Sequence, residues 1–219
     1  MHDVIKSYKE VISAIEHKLK DQNITTQPKV IAVSKTFSLD KILPLIDYGH
    51  LDYGENKVQE AIEKWSDIKL TKKDLNLHLI GKLQTNKAKQ AIKIFDYIHS
   101  VDSEKLAKKI SDELLKINKQ VKIFIQVNIG DENQKSGVRV EQVTSLVQFC
   151  KSINLDVVGL MCIPPLDVET SFYFKEMEKI NKFHKFGELS MGMSSDYLEA
   201  AKNNSTYLRI GSSIFGQRG

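Results

Sequence analysis

The chain has 219 residues, 41% apolar and 27% charged, with 32 basic against 28 acidic side chains and a net charge of +4. That length allows one domain with a substantial core, and so mild and dispersed a lysine excess reads as a solvated surface, which argues against a nucleic-acid partner. The two cysteines, Cys150 and Cys162, have neither metal-site spacing nor a disulfide framework, and read as reduced thiols of a cytoplasmic protein.

The first segment sets Val4, Ile5, Tyr8, Val11, Ile12, Ile15 and Leu19 on one stripe with lysine and glutamate opposite, which predicts an amphipathic helix. From Lys29 onward short apolar runs alternate with helical stretches. The runs read as strands are Val30–Ser34, Leu51–Tyr53, Leu77–Ile80, Tyr97–His99, Lys122–Asn128, Val157–Cys162, Glu188–Met191 and Tyr207–Ile210. Leu106, Ile110, Leu114 and Ile117 form one clean helical stripe, and Val140, Val143, Leu146, Val147 and Cys150 another. Thr85 to Phe95 is a lysine-rich helical stretch. Ser103-Glu104 and Ser194-Ser195-Asp196 read as helix starts whose side chains are placed to cap. No apolar run is long enough for a bilayer: Val157 to Leu166, the longest, holds two prolines. The N-terminus lacks the continuous apolar stretch of a secretory signal.

Eight such strands alternating with helices, with no Gly/Ser linker, predict a single α/β domain over residues 1–219. The architecture expected is a (β/α)8 TIM barrel with an additional N-terminal amphipathic helix. An open doubly wound sheet is the alternative, but the chain carries no GxGxxG fingerprint of its dinucleotide-binding version.

Closure places the first strand beside the last. Lys35 then stands at the carboxyl end of the first strand, where barrels carry their chemistry, and an amine held against apolar strand ends is a nucleophile toward aldehydes. Arg209-Ile210-Gly211-Ser212-Ser213 ends the eighth strand, with a glycine that lets backbone approach a ligand and hydroxyls that donate. Ser194, after Met191-Gly192-Met193, joins it from the seventh. Loops after strands seven and eight are where barrels often hold phosphate. Each motif alone has a plain reading, as a surface lysine or a pair of ordinary turns. Together they pose the binding problem of pyridoxal 5′-phosphate, an aldehyde with a phosphate. Asn56 follows the second strand and reads either as a helix cap or as a ligand contact. His78 reads as a satisfied core histidine or a ligand contact, Met161 and Cys162 as core or cavity wall. Lys82 and Lys87 lie in a polar loop after the third strand, and Asp131–Gly137 reads as a mobile loop over the mouth.

The stretches AVSKT (32–36), YGENKVQE (53–60), HLIGKLQTNK (78–87), QVNIGDENQKSGV (126–138), GLMCIPP (159–165), LSMGMSSD (189–196) and RIGSSIFGQR (209–218) occur in the order found in one family. In them the chain resembles the pyridoxal-phosphate homeostasis proteins, small members of the alanine-racemase-like barrel group. The resemblance implies that Lys35 holds the cofactor as a covalent aldimine, that Arg209 hydrogen-bonds the pyridine nitrogen, and that Ser194, Gly211 and Ser212 hold the phosphate. Met193 and Asn56 would line the site. It further implies a non-catalytic, monomeric, cytoplasmic carrier that buffers pyridoxal 5′-phosphate and delivers it by transient contact with apo-enzymes that use it. Racemases of this fold group add a catalytic residue from a second β-domain, for which a chain ending at Gly219 is expected to leave no room. The competing readings are a racemase or decarboxylase, a Schiff-base aldolase needing an acid or base close to Lys35, and a nucleic-acid-binding protein needing a basic face.

Overall fold

Parallel strands need crossover connections, and this chain supplies a helix for each. The computed structural model describes residues 3–166 and 168–217. Helix α1 (Asp3–Asp21) leads into β1 (Lys29–Val33), α2 (Leu39–Asp47), β2 (Asp52–Glu55), α3 (Val58–Thr71) and β3 (Asn76–Leu79). Then follow α4 (Ala88–Ile94), β4 (Tyr97–Val101), α5 (Glu104–Ile117), β5 (Lys122–Val127), α6 (Val143–Ser152) and β6 (Val157–Cys162). The chain ends with α7 (Ser171–Phe183), β7 (Glu188–Met193), α8 (Tyr197–Lys202), β8 (Tyr207–Ile210) and α9 (Ser212–Phe215). Single 3₁₀ turns, Thr85–Lys87 and Val140–Gln142, open α4 and α6.

The strands close in sequence order into a parallel barrel. Closure is made by β1 against β8, with Ile31 opposite Arg209 and Ala32 opposite Ile210. The expected (β/α)8 barrel is therefore the fold, and the open sheet is excluded. Outward strand residues pack under the helices. Fully buried Trp65 of α3 meets Tyr53 of β2 at a ring separation of 4.8 Å, for example. The N-terminal helix has a place in this outer layer. With six and four residues, α8 and α9 are short, and α1 lies against both as well as α2, burying Val11, Ile15 and Leu19. Among the described residues no helix is long and apolar enough to cross a membrane.

Ser103 caps α5 as expected, its Oγ accepting from Leu106 N at 3.3 Å. Ser194-Ser195-Asp196 does not behave so. Asp196 is the N-cap of α8, but its side chain accepts no bond from that helix and turns back to Met193 N at 2.6 Å. Nor does Asn56 cap α3, whose N-cap is Lys57 without a side-chain bond. Arg218, the last residue of the final quoted stretch, lies outside the described residues.

Candidate functional site

At the carboxyl end of the barrel β1, β7 and β8 open onto a cavity of about 470 Å³. Its wall carries apolar Val33, Ile80, Ile163 and Met193 and polar Lys35, Asn56, Ser194, Ser195, Arg209, Gly211, Ser212 and Ser213. All seven residues singled out from the sequence, Lys35, Asn56, Met193, Ser194, Arg209, Gly211 and Ser212, line this one space. Val33, Ile80 and Ile163 were not singled out. Their signal was available, since each ends or just follows a strand, and Val33 is two residues before Lys35.

Lys35 sits on a turn that the sequence pins from below. Ser34 N donates to Gly54 O at 3.0 Å, and Phe37 N closes the turn on Ser34 O at 3.2 Å. Thr36 follows with φ of 67°, a left-handed conformation costly for a β-branched residue. Its N–H is held by Glu60 Oε1 at 2.6 Å. Lys64 Nζ ties the support together, reaching Ser34 O at 2.9 Å, Glu55 Oε1 at 2.9 Å and Glu60 Oε1 at 3.0 Å. The same Glu55 oxygen accepts from Ser34 Oγ at 2.7 Å and Trp65 Nε1 at 3.0 Å. Burial raises the Glu55 pKa against the pull of these donors. A strained backbone held by this many bonds fixes where the Lys35 side chain leaves the strand.

The ends of β7 and β8 supply a cradle of donors. Gly211 N and Ser213 N both point at Ser194 Oγ, at 3.2 and 3.4 Å. Two amides from the start of α9 thus converge on one hydroxyl oxygen. Arg209 is 4% exposed. Its Nη1 donates to Ser190 Oγ at 2.7 Å and its Nη2 to the Cys162 carbonyl at 2.8 Å, leaving its other N–H groups for the cavity. Burial lowers its pKa, although the guanidinium stays charged.

Other expectations resolve less evenly. His78 is fully buried in the barrel interior with partners on both ring nitrogens, so it is the satisfied core histidine of the two readings. Met161 and Cys162 are core. The Asp131–Gly137 segment contributes nothing to the cavity wall and is fastened to the strand ends. Asn128 Nδ2 donates to Glu132 O at 2.8 Å, Gln126 Nε2 to Ser136 O at 3.2 Å, and Lys135 Nζ to Pro164 O at 3.1 Å. Lys82 and Lys87 are also absent from the wall.

Residues 12–219 match the family described as "Alanine racemase, N-terminal domain". The chain is 32% identical to the pyridoxal phosphate homeostasis protein of Haemophilus influenzae, over 99% of its own length and 95% of the relative's. It is also similar to the solved structure of PipY from Synechococcus elongatus PCC7942 with PLP bound. That match has 31% identity and a TM-score of 0.79, and covers 92% of this chain and 100% of that one. The alanine racemase of Clostridium difficile 630 shares the fold at 15% identity and a TM-score of 0.71, with 94% of this chain lying on 57% of that one.

Proposed function

Because the chain belongs to the alanine racemase N-terminal domain family and, within it, to the pyridoxal phosphate homeostasis proteins, we propose that it binds pyridoxal 5′-phosphate at this mouth and buffers and delivers it without turnover. The observation that carries the reading is the convergence of Lys35, Arg209 and the Ser194–Gly211–Ser213 cradle on one cavity. Bound there, the cofactor supplies an electrophilic aldehyde carbon, a pyridine nitrogen and a phosphate dianion. The residues fit each part. Among the described residues Lys35 is the one primary amine of the cavity wall, and it would be the nucleophile for the aldehyde, joining it with loss of water. Ser194, Gly211 and Ser212 receive the phosphate, and the amides now turned to Ser194 Oγ are the donors it takes over. Arg209 would donate to the ring nitrogen, and Met193 and Asn56 would line the site.

A guanidinium can only donate, so Arg209 would leave the ring nitrogen unprotonated and the ring a weak electron sink. The rest of the wall supports a carrier over a racemase. Among the described residues of the wall there is no carboxylate, imidazole, phenol or thiol to act as a second acid or base opposite Lys35. The same lack argues against a Schiff-base aldolase. Delivery to apo-enzymes that use the cofactor, and a monomeric state, complete the reading.

The test is spectroscopic. Protein purified with the cofactor is expected to be yellow, and borohydride is expected to fix the cofactor's mass on the peptide containing Lys35. Lys35→Ala is expected to lose the visible band entirely while keeping residual binding through the phosphate. A protein that stays colourless with added cofactor overturns the binding claim. Sustained racemisation of an amino acid that depends on Lys35 overturns the carrier claim.

A further inference from the structure

Below the mouth a file of polar side chains runs through the barrel interior, and the proposed function uses only its upper end. Ser190 Oγ, which receives Arg209 Nη1 at 2.7 Å, lies 2.9 Å from His99 Nδ1. His99 Nε2 is 3.0 Å from His78 Nδ1, and His78 Nε2 is 3.0 Å from Asp52 Oδ1. The five residues come from β8, β7, β4, β3 and β2. Ser190, His99 and His78 are fully buried, whereas the Asp52 side chain keeps 14% exposure, so the file runs from the cavity to solvent at the other end of the barrel.

The chemistry of the two ends fixes the direction of every bond between them. A guanidinium only donates and a carboxylate only accepts. Ser190 accepts from Arg209 and has its own O–H to give, and His99 Nδ1 is in reach. An unprotonated Nδ1 makes His99 the Nε2–H tautomer, which donates to His78 Nδ1. His78 then carries its proton on Nε2 and donates to Asp52. With neutral rings and an ionised Asp52, no other assignment makes all four bonds.

We propose that Ser190, His99, His78 and Asp52 are positioning residues for Arg209, a one-way donor file that fixes the guanidinium's orientation and sets a countercharge to a buried cation at the far end of the barrel. What Arg209 faces rests on the carrier reading; the file rests on the geometry alone. The surroundings favour neutral, fixed rings. Tyr97 stacks on His78 at 4.3 Å and 15°, and Phe124 on His99 at 4.2 Å and 16°. Tyr207 packs against both. Burial lowers the pKa of both imidazoles, Asp52 and Asp96 opposing this at His78 and Lys29 adding to it. His99 lies furthest below the ordinary range, because besides burial the Arg209 charge, and any proton on His78, would oppose charging it. Asp196 acts on Arg209 only through space.

The test begins without ligand. Long-range proton–nitrogen correlation spectra near neutral pH are expected to show both His78 and His99 protonated on Nε2 and unprotonated on Nδ1, with assignments from His78→Phe and His99→Phe. The Arg209 Nη resonances are expected to be separate through hindered rotation, and to average in Ser190→Ala. A proton on Nδ1 of either ring, a charged ring, or Arg209 resonances unmoved by Ser190→Ala overturns the proposal. With pyridoxal 5′-phosphate, Ser190→Ala is expected to raise Kd about tenfold, the lower end of what losing an outer hydrogen-bond partner costs a metal site. Unchanged affinity in Ser190→Ala, where Arg209→Ala weakens binding, overturns the positioning role and leaves the carrier reading intact. A wild-type protein that binds no cofactor overturns the carrier reading, and the ligand-free spectra then decide the file by themselves.

Discussion

The mouth of the barrel and its interior are both polar, but they satisfy their polar groups in different ways. In the interior, Asp52, His78, His99 and Ser190 bond one to the next through side chains from four strands, under stacked aromatic rings. None of these groups can rotate away without leaving a buried partner unpaired, which costs about 1–3 kcal/mol. At the mouth, backbone amides of Gly211 and Ser213 share one hydroxyl oxygen on a side chain, Ser194, that sits partly exposed beside the cavity. That arrangement is cheap to undo. A polar group held by other buried side chains fixes shape; one held by a rotatable surface hydroxyl is available to a ligand.

The largest expected break between the two regions is chemical. Ser212→Asp puts a carboxylate into the proposed phosphate cradle at an exposed position that no packing fills. It is expected to weaken pyridoxal 5′-phosphate binding by at least about 1.5–3 kcal/mol, the loss of one charged hydrogen bond, before repulsion is added. Its melting temperature is expected to stay unchanged, since acidic residues are tolerated at a helix start. Pyridoxal, lacking the phosphate, is expected to bind far more weakly than the phosphate ester to the wild type, and to lose little further in the variant. Equilibrium titrations with both ligands check this. Equal affinity for the two ligands would place the phosphate elsewhere.

The interior is expected to announce itself through pH. Burial lowers the folded-state pKa of His50, His78 and His99 below that of the unfolded chain. The unfolded state therefore takes up protons first as pH falls below about 6.5, and stability drops with it. Between about pH 7.5 and 5.5 each such histidine contributes up to about 1.4 kcal/mol of lost stability. Glu55 and Asp196, whose pKa values burial raises, act with the opposite sign as they take up protons in the folded state. His99→Phe keeps the stack on Phe124 and isolates one contribution. It is expected to be less stable overall but to have a shallower slope by up to about 1.4 kcal/mol over that range, measured by denaturant titration at several pH values. An identical slope would mean that folding leaves the His99 pKa where it is in the unfolded chain, and a steeper one that the ring is charged in the folded protein.

The difference between the regions also explains what the sequence made legible. Strand runs such as Val30–Ser34 and Val157–Cys162 announced the barrel because outward strand faces are apolar, and order along the chain is order around the sheet. The mouth was legible because its groups follow strand ends: Lys35 after β1, Ser194 after β7, Gly211 and Ser212 after β8. The interior file was not. Its bonds join residues far apart in sequence, 91 positions in the case of His99 and Ser190, and no local pattern encodes which strands face each other at which height. His78 could be read only as one of two possibilities until the neighbouring strands were in place. Ser194 to Asp196 read as a helix cap, and Asn56 as a cap or a ligand contact, for a related reason. Short polar side chains suit both a helix start and a ligand cavity, and here the tight turns at the mouth draw Ser194 and Asp196 to backbone amides outside the helix.

The smallest expected effect is a null, and it tests where mouth ends and interior begins. Cys162 ends β6 directly beneath the cavity, and its carbonyl holds Arg209 Nη2 at 2.8 Å. Its thiol nevertheless belongs to the core: Cys162 is fully buried, and so is Cys150 of α6. Burial pushes both thiols up to about 12. The thiolate is the reactive form, so at mildly alkaline pH each side chain holds only a minute reactive fraction in addition to being shielded. Ellman's reagent is therefore expected to titrate neither cysteine in the native protein within minutes, and both after denaturation. If Arg209 and its neighbours form the seal between the two regions, Arg209→Ala opens a path and Cys162 becomes reactive while Cys150 stays silent. Native Cys162 reacting as fast as an exposed thiol would mean that the cavity extends below Arg209, and the division between a ligand-ready mouth and a closed interior would fail at that point.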